Sequence, residues 1–194
     1  RGMGDTAMAQ GALEGAIGHY REALALAASA AASGQASEHA KTALRLADAL
    51  ALRGDTEEAE RRYGEALSVA VPEQESLRGQ IQLGLGWLAY DRGQLETARV
   101  HFERARGLFE GDDAKARAWA SRARVALAAV QAPGDPQASV ETWRTLADDE
   151  AEPDAVRAEA LAWLTHTRGA AKPDDAQRLD ALLARTTVEQ AMRI

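Results

Sequence analysis

Four histidines, His19, His39, His101 and His166, are the side chains best suited to hold a metal ion or move a proton near neutral pH. A helical metal site needs two ligands four residues apart with a third close by. None of the four has a histidine or carboxylate at that spacing. Serines and acids are present, but no strained strand-to-helix turn presents a nucleophile, and without cysteine there is neither thiol chemistry nor a disulfide. No catalytic residue, metal or cofactor is therefore expected, and the chain is read as a non-enzyme. Gly84-Leu85-Gly86 would need a preceding strand to cradle phosphate. It stands instead inside a helical period, where small residues serve close packing. Arg53-Gly54-Asp55 spells a cell-adhesion tripeptide but falls at a hinge between helices. Lys115, Arg117, Arg122 and Arg124 form a basic stretch offset by Glu103, Glu110, Asp112 and Asp113, which reads as a solvated face. The acidic clusters Asp112-Asp113, Asp148-Asp149-Glu150 and Asp174-Asp175 fall between helices, where carboxylates cap and favour helix N-termini.

The elements that would position these side chains repeat. Gly11, Ala16, Tyr20, Ala23 recurs as Gly54, Ala59, Tyr63, Ala66 and as Gly93, Ala98, Phe102, Ala105. Upstream of Gly54, apolar residues at Ala43, Leu44, Leu46, Ala47, Leu50 and Ala51 follow a helical period, and the stretch after it does the same. The unit is helix, tight turn, helix. Glycine suits the turn because it takes the left-handed conformation without a Cβ penalty, and Asp55 with Thr56 offers oxygens to cap the second helix. A fourth copy sits on Gly134, with Trp143 at the aromatic position and Ser139 and Leu146 in place of alanines. A fifth sits on Gly169. Fixed-period similarity of this kind predicts an all-α solenoid in which each unit buries its apolar face against its neighbours.

With Leu46-Ala47 and Leu85-Gly86 before the turns and Met3-Gly4 in the first copy, the chain resembles the tetratricopeptide repeat family, in a long-period bacterial form. Its turn glycines are 43, 39, 41 and 35 residues apart, against a family period of about 34. The resemblance implies an α-α superhelix of about five helix-turn-helix units, roughly 1–33, 34–72, 73–111, 112–150 and 151–194, forming one domain with the last two units degenerate. It also implies a concave groove lined by the first helix of each unit. Carried over position by position, that groove holds Lys41, Leu44, Asp48, Ala51 and Leu52; Gln80, Leu83, Trp87, Tyr90 and Asp91; Ser121, Arg124, Ala128, Gln131 and Ala132; and Val156, Glu159, Trp163, His166 and Thr167. The tryptophans and Tyr90 would be peptide anchors or would close gaps between units. Lys41 and Arg45 occupy two positions at which some relatives grip acidic chaperone tails, but the chain contains no asparagine, so that activity is not expected.

A net charge of −7 argues against nucleic acid as partner. No apolar run long enough for a membrane span occurs, and the first residues lack the basic-then-apolar order of a signal peptide, so a cytoplasmic setting is expected. The chain begins at Arg1 with Met3-Gly4 already in mid-helix, so a fragment of a longer polypeptide is expected. The resulting expectation is a protein- or peptide-binding module, such as the sensor or scaffold segment of a bacterial regulator. The alternative is a structural scaffold that forms homo-oligomers by stacking repeats.

Overall fold

The structure is a computed structural model that describes the backbone of residues 2–29, 36–109 and 113–191, and side chains over 12–26, 36–109 and 113–186. Expectations that rest on the side chain of Met3 or on Glu110 and Asp112 fall outside the described residues. The described residues form helices α1 (Gly2–Ser29), α2 (Ala36–Arg53), α3 (Thr56–Val69), α4 (Glu75–Asp91), α5 (Leu95–Leu108), α6 (Ala114–Gln131), α7 (Pro136–Asp148), α8 (Asp154–His166) and α9 (Asp175–Ala191), without a strand among them. The fold is all-α and tetratricopeptide-like, as the repeat pattern implies. Two compact units result, Arg1–Gln94 and Leu95–Ile194.

In the first unit α2 packs on α1, α3 and α4. Its core joins Ile17 and Leu24 of α1 to Leu46, Leu50, Ala59, Tyr63, Ala66, Ile81 and Leu88. The signature alanines explain the close approach of α2 and α3: Ala59 and Ala66 are fully covered, and Tyr63 fills the space between them. A Cβ on Gly84 of α4 would lie 2.4 Å from Cζ of the Tyr63 ring. The missing Cβ lets α4 lie against that ring, in line with the packing role read from the helical period.

In the second unit α6 packs on α5, α7 and α8, and α8 on α7 and α9. Ala98, Phe102 and Ala105 are fully covered, and at the degenerate fourth copy Ser139, Trp143 and Leu146 occupy equally buried positions. The Ser139 hydroxyl is satisfied by donating to the Asp135 carbonyl at 3.0 Å, which lets serine stand where the other copies have alanine.

Gly54, Gly93 and Gly169 take positive φ, of 92°, 74° and 78°, as the turn argument requires. Two turn expectations are corrected. Gly11 lies within α1, which runs unbroken from Gly2 to Ser29. No capping oxygen follows it, Ala12 and Leu13 favour continuation, and a glycine inside a helix costs only about 1 kcal/mol. Asp55 precedes α3 but makes no capping bond with its side chain. Its carboxylate is taken by Arg53, whose guanidinium also holds Glu14 of α1. Capping carboxylates occur instead at Asp113, which accepts from the Lys115 and Ala116 amides, and at Asp135, which accepts from Ala138.

Candidate functional site

Helical spacing sorts the expected groove residues into stripes. Lys41, Arg45, Asp48 and Leu52 follow one another at intervals of four, three and four, so they share one face of α2. Gln80, Trp87 and Tyr90, with Asp91, share one face of α4 in the same way. The two helices pack against each other in the first unit.

On α2, Lys41 and Arg45 are exposed, Lys41 donating to Glu38 at 2.7 Å. Leu52 is 81% exposed. Asp48 is half-buried and accepts a 2.8 Å hydrogen bond from the Tyr63 hydroxyl. Burial pushes the Tyr63 hydroxyl far above the usual tyrosine range, and the adjacent Asp48 charge adds to that shift. Asp48 therefore braces the α2–α3 hairpin while remaining partly open to solvent. Leu44 and Leu83, placed in the groove by the family pattern, are buried core residues.

On α4, Trp87 and Tyr90 are half-buried and meet edge-to-face, with centroids 5.6 Å apart and planes at 83°. Burial and then the neighbouring Asp91 charge raise the Tyr90 hydroxyl, so it remains a neutral donor at physiological pH. Gln80 turns back on its own helix, donating to the Ser76 carbonyl at 3.1 Å. Asp91 is exposed.

In the second unit Arg124 and Gln131, seven residues apart on α6, are exposed, and Ala128 between them is buried. On α8, His166 is exposed, its Nδ1 2.7 Å from the Ala162 carbonyl. Trp163 stacks on the buried Trp143 of α7 at 5.3 Å and 12°, and Trp143 in turn donates its indole N–H to the Val125 carbonyl at 3.1 Å. Of the two tryptophans on the expected face, Trp87 is paired with a neighbour on its own helix, whereas Trp163 is seated on another helix.

The pattern of turn glycines did not point to a cluster beside this face. Phe109 and Trp119 stack at 5.9 Å and 17°, Arg122 lies 4.9 Å over the Trp119 ring, and its Nε donates to Glu159 of α8 at 3.1 Å. The charge pattern places Arg122 on a solvated face and the family pattern places Glu159 in the groove, but neither shows that the two pair beside Trp119. No group of three or more potential metal ligands exists among the described residues, and no helix among them is long and apolar enough to cross a membrane.

Residues 38–111 match the family described as tetratricopeptide repeat. No curated protein matches the chain. Among solved structures, the crystal structure of BtubC (BKLC) from P. vanneervenii is similar, with a TM-score of 0.50 and 20% identity over 94% of this chain and 92% of that one. At that identity the likeness shows the fold alone.

Proposed function

We propose, from the match of residues 38–111 to the tetratricopeptide repeat family, that the chain is a non-catalytic module that binds a protein or peptide. Repeats of this family generally mediate protein–protein interaction. The observation that carries the reading is the α2–α4 face of the first unit. There the Trp87–Tyr90 pair and the exposed Leu52 lie on helices that also present Lys41, Arg45 and Asp91. Rigid aromatics bury a large area at small entropic cost, while flanking charges of both signs orient an extended ligand. Arg124, Gln131, Trp163 and His166 would supply the corresponding face of the second unit. A role as the sensor or scaffold segment of a cytoplasmic bacterial regulator fits the long-period repeats and the alanine-rich composition.

Panning the full chain against a random peptide library and measuring the recovered peptides by fluorescence anisotropy tests the reading. The double substitution Trp87→Ala, Tyr90→Ala is expected to weaken binding at least about tenfold. Unchanged affinity would move the ligand elsewhere.

One observation favours self-assembly as a second reading. Ala66 and Ala105 are fully covered, whereas the equivalent Ala23 of α1 is exposed and Leu26 beside it is 71% exposed. Apolar surface of this kind can pair with a second copy. Light scattering that finds a monomer at every concentration removes that reading.

A further inference from the structure

Glu159 of α8 is a partly buried charge that bridges to α6. Its side chain is 22% exposed and lies between α8 and α6, where the Arg122 guanidinium reaches it at 3.1 Å. Arg122 is also held from the other side by the face of Trp119, 4.9 Å away, and Trp119 is stacked on the buried Phe109. The order is thus Phe109, Trp119, Arg122, Glu159: an aromatic platform, a cation on it, and a carboxylate that pulls the cation toward α8.

We infer that the Arg122–Glu159 pair is a proton-operated latch between α6 and α8: when Glu159 takes up a proton, Arg122 loses its carboxylate partner and its guanidinium, backed by Trp119, becomes available to an anionic group of a ligand. Burial pushes the Glu159 carboxyl up, while the charge and hydrogen bond of Arg122 pull the other way without overcoming it. Among the other charged side chains on the elements packed against α8, Lys115, Arg117 and Arg124 of α6, Glu141 of α7 and Asp180 of α9 are exposed, and several more are held by partners of their own. Arg144 of α7 is bound to Asp175, and Arg178 and Arg185 of α9 are bound to Asp148 and Asp154. On the α7–α8 connection Glu152 accepts from the Ser121 hydroxyl at 2.6 Å. Within α8 itself, Arg157 lies 3.6 Å from Asp154. Arg122 is the cation whose charge and hydrogen bond act on Glu159, and losing the Glu159 charge leaves its guanidinium over the Trp119 ring.

The sign follows from linkage. A carboxyl whose value is raised by folding favours the folded state while protonated, and that advantage is lost as pH rises through the raised value. The latch therefore releases as pH falls through the raised value of Glu159. The proposal concerns the second unit and stands or falls independently of the α2–α4 face.

The test is a pH titration of the full chain, following the ¹³C-labelled Glu159 carboxyl by NMR, assigned by its loss in Glu159→Gln, alongside tryptophan emission. Glu159 is expected to titrate above the ordinary glutamate range, with an emission change at the same midpoint that is abolished by Trp119→Phe and by Glu159→Gln. Arg122→Gln is expected to shift the Glu159 midpoint further upward, a result that a merely space-filling arginine would not produce. Far-UV circular dichroism should stay constant through the window. A midpoint in the ordinary glutamate range, an emission signal that ignores it, or no upward shift in Arg122→Gln overturns the latch.

Discussion

The smallest residue in the α3–α4 contact sets its geometry. Gly84 leaves room for the Tyr63 ring, and a Cβ there would stand 2.4 to 2.6 Å from three of its atoms. That ring cannot retreat freely, being buried and tied through its hydroxyl to Asp48. Gly84→Ala is therefore expected to destabilise the protein by roughly 1 to 3 kcal/mol in urea unfolding, by overpacking. Gly64, inside α3 with nothing near its would-be Cβ, supplies the internal control. Gly64→Ala should stabilise by about 0.5 to 1 kcal/mol, since alanine is the better helix former where space is open. The sequence pattern identified both glycines as helical; only the neighbouring ring distinguishes them. The same applies to the tryptophans: their positions on α4 and α8 could be read from spacing, but Trp163's seat on Trp143 depends on how α8 lies against α7, which no local pattern encodes.

Between elements, charge ties α9 to α7. The Arg144 guanidinium meets the fully buried Asp175 carboxylate in a two-pronged contact of 2.7 and 2.8 Å, and also donates to the Ala170 carbonyl at 3.0 Å. Arg178 of α9 donates to Asp148 at 2.8 Å, closing the network. Arg144 first, with the Lys172 amide behind it, holds the Asp175 carboxyl below the usual aspartate range despite its burial. Because folding lowers this value, the stability it contributes is present above the ordinary aspartate range and is lost as pH falls through the lowered one. Asp175→Asn should remove the two-pronged partner of the half-buried Arg144, leaving only the more distant Asp148 and Asp174 charges, and cost about 3 kcal/mol at neutral pH. Thermal melts at decreasing pH should show the gap between wild type and variant closing in acid. Among the elements, the helical period made the helices legible, and glycine's conformational freedom identified the turns at Gly54, Gly93 and Gly169. It misplaced Gly11, because a glycine permits a turn without compelling one when no capping residue follows. Likewise Asp55 was a sound cap by type, but Arg53 captures its carboxylate. Competition of that sort comes from tertiary neighbours that the local sequence does not reveal.

The whole molecule repeats helical hairpins whose first helices bury one face in the core and present the other outward, while the second helices bury the small–aromatic–small positions of the repeat. Tyr63, Phe102 and Trp143 at one repeat position are buried, while Lys41, Arg45 and Asp91 on first helices remain at the surface. This division follows from helix packing. Amide hydrogen exchange on the full chain, with and without a peptide recovered from the library, tests it most directly. A bound peptide should slow exchange in α2 and α4 around residues 41–52 and 80–91, and leave α3 unchanged. Protection confined to α3 or to the turns, with α2 and α4 untouched, would contradict the account.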